Sequence, residues 1–368
     1  MTALRLWLLA AAAMLASCAG APPTTPPATP PISPADSRTM IDHSLPHTLS
    51  DRRGWLNDIY TAFAVLTIQP SHENVCAVVS VIQQESGFQV DPMIPGLGGI
   101  AAKEIDRRAE RAHVPLMIVH GVLDLKSPDG HTYAQRIERA RTEKDLSDIY
   151  EDFIAGVPLG RTLFDDKNPI RTRGPMQVNV AFAEQFASAA SYPYPVARSI
   201  PDEVFTRRGS IYFGVAHLLD YRAPYDDYVF RFADYNAGRY ASRNAAFQHA
   251  VTVASGIALD SDGALLPPAD DANAPGATEL TLRTLAARLR LNDAAIHAGL
   301  LQARYENFEQ SALYVRVFAL ANQAAGTPLR RALLPSITLQ GPKIGRHLTT
   351  EWYARRVDQR FKRCLEAP

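Results

Sequence analysis

The chain has 368 residues, 46% of them hydrophobic and 21% charged, with 38 Lys+Arg set against 38 Asp+Glu. Length and composition suit one main globular body with appendages and exclude a disordered or collagen-like chain. A net charge of zero removes the basic footprint of a nucleic-acid binder, so no nucleic-acid partner is expected.

The first segment reads as a secretion signal. Met1 to Arg5 gives a short positive start, Leu6 to Met14 an apolar run too short to span a bilayer, and Leu15-Ala16-Ser17-Cys18 closes it. The LASC tetrad resembles the bacterial lipobox, which implies removal of residues 1–17 and lipid attachment to Cys18. Ala19 after the cysteine implies sorting to the outer membrane, with the protein lipid-anchored and facing the periplasm. Residues 18–48, with APPTTPPATPPISP, cannot bury a core and read as an extended tether. Of three cysteines, lipidation of one leaves Cys76 and Cys364 in a compartment that permits disulfides. They either bridge or are two small buried apolar residues.

From Trp55 onward helical periodicity dominates and strand signals are few. WLNDIYTAFAVLTI is apolar at helical spacing, Pro70-Ser71 gives a stop and an N-cap, and ENVCAVVSVIQQE comes next. Further helices are expected near 99–114, 131–155, 178–189, 207–221, 224–235, 239–254, 278–288, 292–323 with a break, and 348–365. The run PPADDANAPGAT within 265–278 is a loop or a boundary. No fixed-period repeat appears. The expected class is mainly α, either all-helical or with a small sheet beside the helices, in which 49–260 is the main domain and 279–368 a C-terminal helical segment.

Three short segments stand out: QQESGF at 83–88, RGPMQVNV at 173–180 and ADYNAG at 233–238. Val75, Val78, Val79 and Ile82 form an apolar stripe that carries Glu85 on the same face at the helix end. Partial burial and the negative end of the helix dipole both disfavour a charged carboxyl there, so its pKa is expected to rise toward the range of a general acid. The plain alternative is a helix-end Glu paired with an Arg. Gly174-Pro175 is expected to turn the chain into a helix that presents Met176 and Gln177 at its start. ADYNAG reads as a helix end capped by Gly238, with Tyr235 and Asn236 in the last turn; phenol and amide groups suit sugar recognition.

In sequence and order these segments resemble the signatures of the soluble lytic transglycosylases: Glu-Ser, then Gly-Leu-Met-Gln, then Ala-Tyr-Asn-Ala-Gly. The resemblance covers roughly residues 71–250. It implies a lysozyme-like α+β domain with minimal sheet, a peptidoglycan glycan strand as partner, no cofactor, and Glu85 as acid and base in cleavage that leaves 1,6-anhydro ends. It also implies that Ser86, Met176, Gln177, Tyr235 and Asn236 position the sugar and shape the cleft. Three departures stand against it. Pro175 replaces Leu, Asp234 replaces the Ala before Tyr, and residues 89–173 form an insertion where the family has a short loop. That insertion, with PGLGGIAAKEIDRRAERAH, is expected to be a lid, a wall or an occlusion of the cleft. A lysozyme-type hydrolase and a peptidoglycan-binding scaffold lipoprotein are the alternatives; protein partners are not legible.

Other signals carry no chemistry. PGLGG at 95–99 lacks the lysine and hydroxyl residue of a phosphate loop and reads as a turn. Ten histidines show no HExxH and no zinc spacing with cysteine, so no metal site is expected. Asp260, Asp262, Asp270 and Asp271 fall short of a calcium loop.

Overall fold

Ser71 starts the helix on which the site depends, its hydroxyl accepting from the Asn74 amide at 3.2 Å and so satisfying a donor that a helix start leaves free. The helix it caps, His72–Glu85, is buried at every position from Val75 to Ile82. The apolar stripe read from the sequence therefore understates it, because this helix runs through the middle of the core with neighbours on all sides. It ends where Gly87 and Phe88 take positive φ, 59° and 65°, and reverse the chain, with the Gly87 amide donating back to the Ile82 carbonyl at 3.2 Å.

The computed structural model describes residues 32–156, 168–267, 274–339 and 347–367. The signal segment, Cys18 and the part of the tether up to residue 31 lie outside them. No helix among the described residues is long and apolar enough to cross a membrane.

Residues Pro34–Pro368 form one unit, and it is mainly helical. In chain order its elements are α1 Pro34–Ser44, α2 Arg52–Val65, α3 His72–Glu85, α4 Leu97–Arg111, α5 Leu116–Leu123, α6 Tyr133–Arg139, α7 Glu143–Gly156, β1 Thr172–Arg173, β2 Val178–Asn179, α8 Val180–Ala189, α9 Ile200–Phe205 and α10 Arg207–Leu219. Next come α11 Tyr228–Ala237, α12 Ala241–Ser255, α13 Ala277–Thr284, α14 Ala286–Leu289, α15 Asp293–Leu301, two 3-10 turns, α16 Ala312–Ala325, β3 Thr338–Leu339, β4 Leu348–Thr349 and α17 Thr350–Glu366. The strands make two antiparallel ribbons, β1 with β2 in the register Thr172 to Asn179, and β3 with β4 in the register Thr338 to Thr349.

Three apolar clusters hold the unit together. The first joins α1, α2, α3, α10 and α11 to Tyr353, Ala354, Val357 and Phe361 of α17. The second packs α12 against α13 to α16. The third, inside residues 89–173, is Tyr133, Ile137, Ala140 and Ile149 with partly buried neighbours. Two domain expectations are corrected here. The tether stops short of residue 48, because Pro34 occupies a first helical turn and Ile41 and Leu45, four residues apart, are buried in the first core. Nor is 260–279 a boundary: α12, before it, belongs to the second cluster, while α17, at the far end of the chain, returns to the first.

The helix expected over 131–155 is two helices. Thr142 caps the second, accepting from the Asp145 amide at 3.2 Å while the Asp145 carboxylate accepts from the Thr142 amide at 3.0 Å. The segment expected over 292–323 breaks at 3-10 turns Gln302–Arg304 and Glu306–Gln310.

Candidate active site

Met176 and Gln177 do not open a helix; α8 starts only at Val180, capped by Asn179 at the end of RGPMQVNV. The two lie in the turn of the β1–β2 ribbon, closed by the Gln177 amide donating to the Gly174 carbonyl at 2.9 Å. A Cβ on Gly174 would lie 2.2 Å from the Val204 carbonyl oxygen, and φ there is 71°, so this close approach admits only glycine. Gln177 itself sits at φ 49°, a conformation uncommon for a residue with a side chain. Its amide is held at both ends. Oε1 accepts from the Thr172 hydroxyl at 2.8 Å, and Nε2 donates to Glu143 Oε2 at 3.0 Å.

Glu85 and Gln177 line one cavity of about 240 Å³. Its other walls are Val90, Asp91, Pro92 and Ile94 from the chain beyond α3, Glu143 at the start of α7, Gly174, and Phe205 at the end of α9. Much of this lining comes from residues 89–173. The insertion is thus a wall of the cavity.

Glu85 occupies the last residue of α3 and is partly exposed. The phenol of Tyr353, from α17, donates to its Oε1. Burial pushes the Glu85 carboxyl up to about 7, the Tyr353 hydrogen bond holds it back, and the negative charge of Glu143 adds to the rise. A group poised there exchanges a proton in either direction near neutrality. Tyr235 stands behind the carboxyl, its phenol well above the ordinary range because it is buried and lies close to Glu85. Its hydroxyl is spent on the Met176 carbonyl, 2.6 Å away, which pins the ribbon turn to α11.

The motif residues divide accordingly. Glu85 and Gln177 reach the cavity. Met176 is wholly buried, with its sulfur packed where Gly214 has no Cβ; it is a core residue and does not shape the cleft. Ser86 is buried, and its hydroxyl donates to the Ile82 carbonyl at 3.2 Å, so it closes the helix and is not among the cavity's lining residues. Asn236 is exposed and accepts from the Thr350 hydroxyl at 2.8 Å, a tie between α11 and α17. Asp234 is no part of the cavity lining either. Its buried carboxylate accepts from the Tyr221 and Tyr225 phenols and from the Tyr240 and Ser242 amides, fixing the turn from α11 into α12. Burial carries that carboxyl up to about 7.

Cys76 and Cys364 are bridged, with Cα atoms 5.6 Å apart. His72 lies beside them, but both sulfurs are committed to the bridge, which leaves no thiolate for a metal. Of the polar side chains at the site, Tyr353, Glu143 and Asp91 escaped the sequence reading. For Tyr353 a signal existed. A bridge between Cys76 and Cys364 on antiparallel helices puts Glu85, nine residues along, across from the stretch near 355.

Among curated proteins the chain is similar to the "Uncharacterized protein YaiW" of Escherichia coli (strain K12), which is 48% identical over 331 residues, covering 90% of each chain. No solved structure matches. The profile of the family described as "Protein of unknown function (DUF1615)" matches residues 48–367, nearly all of the chain beyond the tether, and the chain belongs to that family.

Proposed function

We infer that the protein is a peptidoglycan-cleaving enzyme of the lytic transglycosylase kind, with a lysozyme-like catalytic domain and Glu85 as its single acid and base. The observation that carries this reading is the helix-end carboxyl raised to about 7 in a cavity it shares with Gln177. Protonated, Glu85 gives its proton to the oxygen between N-acetylmuramic acid and N-acetylglucosamine, and the glycosidic bond breaks. As carboxylate it then takes the proton of the muramyl six-hydroxyl, whose oxygen bonds to the anomeric carbon and closes the 1,6-anhydro ring. An internal nucleophile has a high effective molarity, so no water is consumed. Tyr353 holds one carboxyl oxygen and leaves the other for the substrate. The Gln177 amide, fixed at both ends, supplies the rigid polar edge against which a sugar is placed.

One observation favours a second reading, hydrolysis of the lysozyme type. Asp91 and Glu143 put two further carboxyl groups in the same cavity, and a second carboxyl group beside the acid is what water-dependent glycoside cleavage ordinarily uses. The products separate the two. Purified sacculi are incubated with the full chain carrying Cys18→Ser, and with the same chain carrying Glu85→Gln, and the released muropeptides are weighed by mass spectrometry. Anhydro ends from the first protein alone are expected; reducing ends establish the hydrolase; no release by either defeats both and leaves a binding lipoprotein.

The enzyme works from a lipid anchor on Cys18 in the outer membrane, facing the periplasm. The LASC tetrad supports this. Cys18→Ser is expected to move the protein from the membrane pellet to the soluble fraction, and retention in the pellet counts against the anchor.

A further inference from the structure

Beside the candidate active site, and sharing Glu143 with it as a lining residue, the insertion holds a second and larger cavity, of about 780 Å³, between α4, α5, α6 and α7. Its wall is built from apolar side chains, among them Ile105, Ile118, Val122, Leu146, Ile149 and Phe153. The volume falls within the roughly 300–1,000 Å³ usual for small-molecule sites. Helix α5 has the sequence LMIVHGVL and not one buried residue. Ile118 on it is 56% exposed although it lines the cavity, and Met117 next to it is 83% exposed and does not. An apolar helix of this kind gains nothing from facing water, so its position is explained by what it covers.

The rim is basic. Arg108 and Arg171 line both this cavity and an adjoining depression of about 490 Å³ that also holds Arg111 and Asn168. Across the two linings Arg108, Arg111 and Arg171 stand against the Glu104 and Glu143 carboxylates, with Glu104 paired to Arg108 and Arg111, so one positive charge is left over at the mouth. The inner wall has few polar groups to offer. Besides Tyr150 they are Tyr133, whose hydroxyl donates to the Asp152 carbonyl at 3.2 Å, Thr172, whose hydroxyl donates to Gln177 at 2.8 Å, and Glu143, which accepts from Gln177 at 3.0 Å.

We propose that this cavity binds a long-chain fatty acid, its acyl chain between α4, α5 and α7 and its carboxylate at Arg108 and Arg171. A wall made mainly of apolar side chains suits an alkyl chain, which needs no partners. A peptide would leave its amides and carbonyls unsatisfied there. The arginines select the anionic head, since a guanidinium forms two parallel hydrogen bonds to a carboxylate. The proposal stands independently of the activity inferred above.

The test is displacement of a fluorescent stearate analogue from the full chain carrying Cys18→Ser. Palmitate is expected to displace it at one site per chain. Ile118→Glu, at an exposed position where the fold is not at stake, is expected to weaken palmitate by about tenfold or more, since it places a carboxylate in an apolar wall. Met117→Glu, on the same helix outside the lining, is expected to bind as the parent does. Arg108→Gln with Arg171→Glu is expected to cost palmitate about tenfold and leave hexadecanol, the uncharged chain of the same length, unchanged. Failure of palmitate to saturate overturns the proposal. So does Ile118→Glu binding like the parent, equal loss in Met117→Glu, an equal effect of the arginine changes on acid and alcohol, or displacement by a hydrophobic peptide where palmitate gives none.

Discussion

At Glu85 two neighbours push in opposite directions, which makes the local electrostatics testable without knowing the substrate's full structure. The Tyr353 phenol stabilises the carboxylate by donating to it, and Glu143 destabilises the carboxylate by its own charge. A general acid is active while protonated, so kcat/KM for glycan release is expected to fall as pH rises through about 7, the value to which burial raises Glu85. Tyr353→Phe removes the stabilising bond and is expected to move that limb to higher pH. Glu143→Gln removes the like charge and is expected to move it lower, by about half a unit to one unit in each case. Limbs that stay put, or shift in the same direction, rule out Glu85 as the titrating group. The sequence allowed the rise at Glu85 to be anticipated, because a carboxyl ending an apolar helix has two reasons to stay protonated. The balance was not legible there. It is set by Tyr353, 268 positions away, and by a glutamate inside a segment whose fold no motif specified.

Among elements, the disulfide joins the two helices that carry the acid and its hydrogen-bond donor. Cys76 precedes Glu85 on α3, and Cys364 lies beyond Tyr353 on α17. The bridge spans 288 positions, and closing so long a loop removes much of the unfolded chain's freedom. Cys364→Ser is expected to cost about 2–5 kcal/mol in denaturant unfolding. It is also expected to shift the basic limb of the pH profile in the direction of Tyr353→Phe, since α17 is then held by packing and hydrogen bonds without a covalent tie to α3. A loss of stability with an unmoved limb would mean that Tyr353 keeps its place without the bridge. The two cysteines were visible in the sequence as a possible pair, and most helices were visible by periodicity and caps. Helix α1 was hidden because its proline sits at a helix start beside a proline-rich stretch, where composition argues for a tether. The ribbon turn at Gly174 was hidden for the opposite reason: a Gly-Pro pair marks a turn and leaves open whether a helix or a strand comes next.

For the molecule as a whole, the three apolar clusters predict an order of opening. Among the described residues the cluster within the insertion has only four buried members, whereas the first core draws on α1, α2, α3, α10, α11 and α17. Local opening costs roughly the burial it gives up. Amide hydrogen exchange is therefore expected to be fastest in α4 to α7, intermediate in α12 to α16 and slowest in α3, α11 and α17, with about a hundredfold, on the order of 3 kcal/mol, between the extremes. The consequence reaches the site, because Glu143 belongs to the least protected region and the Glu85–Tyr353 pair to the most protected. In mild urea, below the main transition, the insertion opens first and withdraws Glu143 from the cavity while Tyr353 still holds Glu85. The pH limb measured there is expected to move down at least as far as that of Glu143→Gln, and adding urea to Glu143→Gln itself is expected to move it down as well, since opening also removes the wall that buries Glu85. If urea instead carries the limb upward, the bond from Tyr353 is lost before the charge of Glu143, and α17 is then the first element to leave.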